Sequence, residues 1–383
     1  MQPVRSPEVA LLLMTCSEEQ TSEKLTDVML FLAQHSLNWD RLLKLAAWHR
    51  LTPLLYRLLQ ESPTIAGPFL PTLRQECLAI TTDNLIKLRE YHQVSALLTK
   101  KSISHCAFKG IYLAQYSYPA SSLRPIGDMD ILIVEEDLDN AVGLLALEGY
   151  SVAANEESSL LRTNRRIRVD ELHEISLLKP FSNTSRFDID LHWRVDCLVK
   201  EIGSFRLDDM LSSPDFLIEQ QIVLLVLHHG INNSWARIGY VCDLYFLLNK
   251  AAINWSWLLD KLKLYEAEVI FLVGVHWCQQ LFHLVVPASV QQTMATDQIR
   301  LLAESYEKQW ESDSVAPFRN LVSKYAYAQP LLLARLRIYG AYARNFIFRS
   351  SLIRINAVQV YIPKDWGFTT VLIRAFSALR RNR

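Results

Sequence analysis

The chain has only six cysteines in 383 residues, at positions 16, 77, 106, 197, 242 and 278, and none forms a CxxC pair. That argues against a disulfide framework and against a zinc site, so the thiols read as small core hydrophobes. No apolar run approaches the roughly 20 residues needed to cross a bilayer. The longest stretches, near 222–227 and 269–275, stop at polar groups and fit buried helices. Net charge is also missing, with 40 basic against 40 acidic residues, so nothing biases the whole chain toward nucleic acid. Internal repeats, low-complexity tracts and linkers rich in Gly, Pro and Ser are absent as well. With half its residues hydrophobic, the chain has ample material for a core and reads as one packed body.

At the N-terminus, the apolar stretch Val9–Met14 after Arg5 is too short for a lipoprotein signal, and Thr15 before Cys16 is a poor small residue for cleavage. Ser6-Pro7-Glu8 instead has the order of an N-cap, first helical position and first-turn acid. The expected location is cytoplasmic. Residues 1–100 read as a helical N-terminal region, 101–200 as an α/β core, and 201–383 as a helical C-terminal region with a basic tail. The expected fold class is therefore α+β, a small mixed β-sheet embedded between two helical regions.

What is present is concentrated in 108–134. Lys109-Gly110 closes one apolar stretch, and Asp128-Met129-Asp130 opens the β-branched run Ile131-Leu132-Ile133-Val134, the composition of a buried strand. Strand side chains alternate, so Asp128 and Asp130 project from one face. Carboxylates that close repel unless a cation lies between them, and Mg²⁺ is commonly held by one or two carboxylates plus substrate phosphates. A third carboxylate is expected from Arg186-Phe187-Asp188-Ile189-Asp190-Leu191-His192-Trp193, where Asp188, Asp190 and His192 share the face opposite Phe187, Ile189 and Leu191. Asp190 is preferred because it lies further into the apolar strand, although spacing alone does not separate it from Asp188. Residues 167–178 are expected to be the hairpin partner of this strand, with His173 within reach of the site.

These residues resemble a known family. Lys109-Gly110, Arg124, Asp128-x-Asp130 and Asp190-Leu-His192-Trp193 are similar to the uncharacterised bacterial nucleotidyltransferase family of the polymerase-β-like superfamily. Trp39-x-x-Leu42-x-x-Leu45-Ala46-x-x-His49-x-x-x-Pro53-Leu54-Leu55 resembles that family's N-terminal helical segment. Leu224-x-x-Leu227-His228-His229-Gly230, Trp235-x-Arg237 and Asp243 resemble the one after its sheet. The resemblance spans about residues 39–250. It implies a metal-dependent enzyme that moves a nucleoside monophosphate from an NTP to an acceptor hydroxyl and releases pyrophosphate, with Mg²⁺ or Mn²⁺ on Asp128, Asp130 and Asp190. It also implies nucleotide contacts from Lys109, Gly110 and Arg124; by their strand positions, His173, Asp188 and His192 are expected to support the site. RNA ends, proteins, sugars and small antibiotics are all acceptors on this scaffold, and the sequence selects none of them.

One departure matters. The wider superfamily places Gly-Ser shortly before Asp-x-Asp, whereas here Lys109-Gly110 stands there and seventeen residues, 111–127, precede Asp128. The missing hydroxyl leaves a second reading, a catalytically degenerate nucleotide- or partner-binding module. Arg124 is expected either to clamp a phosphate or to neutralise the carboxylates. His228 and His229 read as structural, near a C-cap at Gly230, and Asp243 is expected to pair with Arg237 or one of those histidines. The tail from Arg335 holds ten Lys or Arg and one acid, Asp365. It suits an anionic partner or a solvated helix face.

Overall fold

The computed structural model describes residues 5–16, 21–61, 67–153, 165–182, 185–250, 252–314, 317–348, 350–355, 358–363 and 366–373. The first helices include two that begin at side-chain caps: Ser6 accepts from the Val9 amide ahead of Pro7–Leu13, and Asn38 accepts from the Arg41 amide ahead of Trp39–Trp48. Thr52–Leu59 follows, with Pro53 in its first turn, and then the long helix Leu70–Lys100. Five strands form one mixed sheet: β1 (His105–Ala107), β2 (Met129–Ile133), β3 (Ser151–Val152), β4 (Glu174–Pro180) and β5 (Arg186–His192), in the order β1-β2-β5-β4-β3. β2 and β5 run parallel and the other pairs antiparallel. Helices dominate after residue 206, and two short ladders follow the sheet, β6 (Val195–Asp196) with β7 (Ser204–Phe205) and β8 (Ser351–Ile355) with β9 (Val358–Ile362). The fold is α+β. No helix among the described residues is long and apolar enough to cross a membrane.

Two apolar clusters hold these parts. One lies against the sheet and the long helix, around Val94, Ile131, Ile133, Leu145, Ile189 and Trp193. The larger one mixes N-terminal side chains such as Leu12, Leu54 and Leu58 with Val241, Phe271 and Trp310 from beyond the sheet. The helical segments on either side of the sheet therefore share one interior. At their junction the Ile238 amide donates to His49 Nδ1 at 3.1 Å, and His49 Nε2 lies 3.0 Å from the Trp310 carbonyl. Gly239 sits so close that an added Cβ would lie 2.2 Å from the His49 carbonyl oxygen. Both atoms are fixed to backbone. Gly239→Ala should cost about 3 kcal/mol or more, read as a lower urea midpoint with an unchanged m-value.

Three sequence expectations change here. Residues 165–171 form a helix, Arg165–Glu171, and the hairpin strand begins only at Glu174. Ile167 and Val169 imitate an alternating strand, but the adjacent residues Ile167 and Arg168 are the buried ones, which a period of two does not allow. Gly230 does not end its helix, since a π-helical turn, Val226–Asn232, continues past it. Gly230 is there for packing: a Cβ would lie 2.7 Å from Ile270 Cγ2. The tail is not wholly helical, because the helix Leu332–Phe348 gives way to the β8–β9 hairpin. Arg337 pairs with Glu266 at 2.9 Å and Arg335 donates to the Gln329 carbonyl, while Arg344 is exposed and Arg349 lies outside the described residues.

Candidate functional site

Register builds the site. Along β2, Met129, Ile131 and Ile133 enter the apolar cluster beneath the sheet, so Asp128, Asp130 and Leu132 take the other face. The ladder with β5 sets Asp130 opposite Asp190 and Leu132 opposite His192. The β4–β5 ladder adds Ser176 opposite Asp190 and Glu174 opposite His192. One face of three neighbouring strands thus carries carboxylates, an imidazole and a hydroxyl, while the other is aliphatic. The turn before Asp128 is held by Asn84, buried within the long helix. Its side chain donates to the Ser121 and Arg124 carbonyls at 2.7 and 2.9 Å and accepts from the Ile126 amide at 2.9 Å.

Asp130 is nearly inaccessible, and its Oδ1 receives Lys109 Nζ at 2.6 Å and lies 3.1 Å from His192 Nε2. Burial works to raise its pKa, but Lys109 and His192 hold it well below the usual carboxylate range. Asp128 moves the other way, raised first by neighbouring Asp130 and then by burial. Glu174 Oε2 is 3.0 Å from His192 Nδ1, and the Ser176 hydroxyl donates to Asp190 Oδ1 at 2.6 Å. Lys109 holds its ammonium in place from a left-handed backbone, φ 50°, a conformation that costs energy for any residue but glycine and clusters at functional sites.

The residues fit a divalent cation. One ligand atom each from Asp130, Asp190 and His192 lies within 4.8 Å of the others. Two carboxylate oxygens suit Mg²⁺ or Mn²⁺, and an imidazole nitrogen widens the choice toward transition metals. Beside them Asp188 Oδ1 is buried with no hydrogen-bond partner. Its carboxyl is raised by burial, then by Asp190 and Asp128. A cation would relieve that crowding of negative charge. The face opens into a cavity of about 630 Å³ whose wall includes Lys109, Asp128, His173, Asp190, His192 and His228.

The expected residues separate into two groups. Asp128, Asp130, Asp190, Lys109 and His192 come together, and His173 lies exposed at the rim, its Nε2 3.5 Å from Glu174 Oε2. Asp188 shares the strand face without lining the cavity. Gly110 is buried behind Lys109; a Cβ there would meet Ile126 and the Asp128 carbonyl at ordinary contact distances, 3.7–3.9 Å. Arg124 neither clamps the cavity nor neutralises the aspartate pair. It is buried, with Nε 2.6 Å and Nη2 2.9 Å from the two oxygens of Asp243. The partners of Asp243 are thus Arg124, His229 and the Tyr118 hydroxyl. Of the alternatives expected there, a histidine, His229, is the partner, and Arg237 instead lies over the Trp48 ring at 4.2 Å.

Sequence reasoning passed over Arg50. Its Nη2 is 3.7 Å from where a Gly127 Cβ would stand, and its φ is 61°. Among the described residues it has no ion-pair partner within 4.0 Å. Burial and the Arg124 guanidinium oppose its charge, and Asp128 favours it. No periodicity marks such a residue, because it reaches the site from a helix end some 80 positions away in sequence.

Carboxylates gathered on adjacent strands beside an open polar cavity form a cluster that could hold a divalent cation. The chain belongs to the uncharacterised nucleotidyltransferase family, whose model matches residues 35–283. The match runs from just before Trp39–Trp48, through the whole sheet, to the end of Glu268–Phe282. No curated protein and no solved structure matches the chain.

Proposed function

We propose that the protein transfers a nucleoside monophosphate from an NTP to an acceptor hydroxyl, dependent on Mg²⁺ or Mn²⁺. The observation that carries this reading is the register of Asp130 with Asp190 on neighbouring parallel strands, Asp128 on the same face, over the cavity. A bound divalent cation would neutralise phosphate charge and lower the acceptor hydroxyl's pKa. Asp128, Asp130 and Asp190 are the residues to hold it, with His192 completing the set. The acceptor oxygen attacks the α-phosphorus, a new O–P bond forms, the α–β bridging P–O bond breaks and pyrophosphate leaves. Asp190 is placed to take the acceptor's proton. Lys109 is placed to turn from Asp130 to a phosphate, and Arg50 is the second cation at the Asp128 turn. Arg50→Ala should raise the KM for NTP about 10-fold, the loss expected for one charge-assisted contact.

A degenerate binding module is the second reading, favoured by Lys109 Nζ lying 2.6 Å from Asp130, where a cation would otherwise go. The test is α-labelled NTP with Mg²⁺ or Mn²⁺ in a cell lysate, wild type beside Asp128→Asn/Asp130→Asn. Metal-dependent label transfer by wild type alone supports the enzyme and identifies the acceptor class. Binding without transfer supports the module, and absence of binding sinks both.

A further inference from the structure

The π-helical turn Val226–Asn232 does something the reaction above does not use. Turns of this kind recur at functional sites, because the extra residue displaces side chains from the regular helical positions. Here two adjacent histidines meet, with His228 Nδ1 2.9 Å from His229 Nδ1. His229 Nε2 continues to Asp243 Oδ2 at 3.1 Å. Two asparagines that follow tie the turn down: Asn233 Nδ2 donates to the His228 carbonyl at 2.7 Å, and Asn232 Nδ2 to the Asp196 carbonyl at 3.1 Å. The His229 ring also stacks on Tyr240, with centroids 3.9 Å apart.

The donors along this chain can be assigned from its buried end. Asp243 faces the Arg124 guanidinium through both oxygens and accepts from Tyr118, so it is an ionised carboxylate with nothing to donate. His229 Nε2 must therefore carry a hydrogen. Burial keeps the ring neutral, with its pKa lowered to about 4, so His229 Nδ1 is bare and accepts. His228 Nδ1 must then be the donor between the rings. Burial, followed by the ammonium of Lys109, keeps His228 neutral too. Its remaining nitrogen, Nε2, is a lone-pair acceptor, and His228 lines the same cavity as Asp128, Asp190 and Lys109. Most other polar groups on that wall are carboxylates or cations, and the remaining ones are His173, His192, Asn232 and Asn345.

We infer that His228 Nε2 is an acceptor-substrate contact that reads a hydrogen-bond donor beside the attacking hydroxyl. The substrate class it fits is a diol or amino alcohol: one hydroxyl attacks while its neighbour donates to His228. This rests on the transferase reading, and His228 acts as a specificity-determining residue within it. A site built to receive a donor rejects analogues lacking one, because the bound substrate covers the acceptor and leaves it unpaired.

Two measurements on the full chain test it. In ¹⁵N-histidine-labelled protein at pH 7.5, with His228→Asn used for assignment, His228 should show a protonated Nδ1 and a bare Nε2, and His229 the reverse. A hydrogen on His228 Nε2 would overturn the inference. In lysate transfer assays with α-labelled NTP, His228→Asn keeps an amide near His229 but removes Nε2. It should lower label transfer about 10-fold at dilute acceptor, with Mg²⁺-dependent NTP binding unchanged and His228→Gln partly restoring transfer. Wild-type rates in His228→Asn would sink this inference and leave the transferase standing. No transfer by the wild type itself would sink both.

Discussion

Asp190→Asn should lose about 10³-fold or more of nucleotidyl transfer while the fold keeps its stability. The asymmetry follows from what each aspartate touches. Asp190 accepts a hydrogen bond from Ser176, and an asparagine oxygen can accept the same bond. Its charge is also one cause of the raised pKa at Asp188 and Asp128, so neutralising it relieves repulsion. Asp130→Asn should lose transfer and stability together. Lys109 and His192 both converge on the Asp130 carboxylate in a nearly closed environment. Leaving a buried cation against a neutral amide costs about 3–5 kcal/mol. Transfer of α-label measured beside urea unfolding separates the two variants. An active Asp190→Asn would remove Asp190 from the reaction. An Asp130→Asn as stable as wild type would mean that the Lys109 ammonium does not depend on its partner.

The halves of this site differ in how far the sequence exposes them. The strand carrying Asp128 and Asp130 and the strand carrying Asp190 are legible because alternation and β-branched runs are local signals. Register between them is not local. That Asp130 meets Asp190 rather than Asp188 depends on how the two strands slide, which the packing of Met129, Ile131, Ile189 and Leu191 decides. Arg124 is the instructive case. Four residues before Asp128 in sequence, it turns away from the cavity to pair with Asp243, buried on a helix 119 residues later, while Asp130 has Lys109 and Asp128 is partly open. Arg50 and His228 come from segments with ordinary helical periodicity; a positive φ accompanies the placement of Arg50 beside Gly127, and a π turn carries His228 to the cavity wall. The helix Arg165–Glu171 shows the opposite failure, a short stretch whose alternation was accidental and whose burial came from tertiary neighbours.

Acidification from pH 7 to 4 should cost the protein a large part of its stability, driven by histidines rather than carboxylates. His49 receives the Ile238 amide hydrogen on Nδ1 and directs Nε2 at the Trp310 carbonyl, so only the neutral ring, protonated at Nε2, satisfies both bonds. His49 and His229 are both lowered to about 4, first of all by burial, and His228 lies well below its ordinary value. The unfolded chain binds these protons near pH 6.5 and the folded chain does not. Stability is therefore full above pH 6.5 and falls as pH drops toward 4, by about 3 kcal/mol each for His49 and His229. Together that approaches the 5–15 kcal/mol that typically separates folded from unfolded. Asp128, Asp188 and Glu174 offset part of the loss, because their raised pKa values let the folded state take protons first. Asp130 and Asp243 stay ionised throughout this window, and their contribution fails only at lower pH. Unfolding free energies measured in urea at half-unit steps give the slope. His49→Gln should reduce it by one proton, about 1.4 kcal/mol per pH unit, whatever that variant's own stability. An unchanged slope would show that His49 titrates alike in both states, and the clasp between its carbonyl, Gly239 and Trp310 would then owe nothing to a neutral ring.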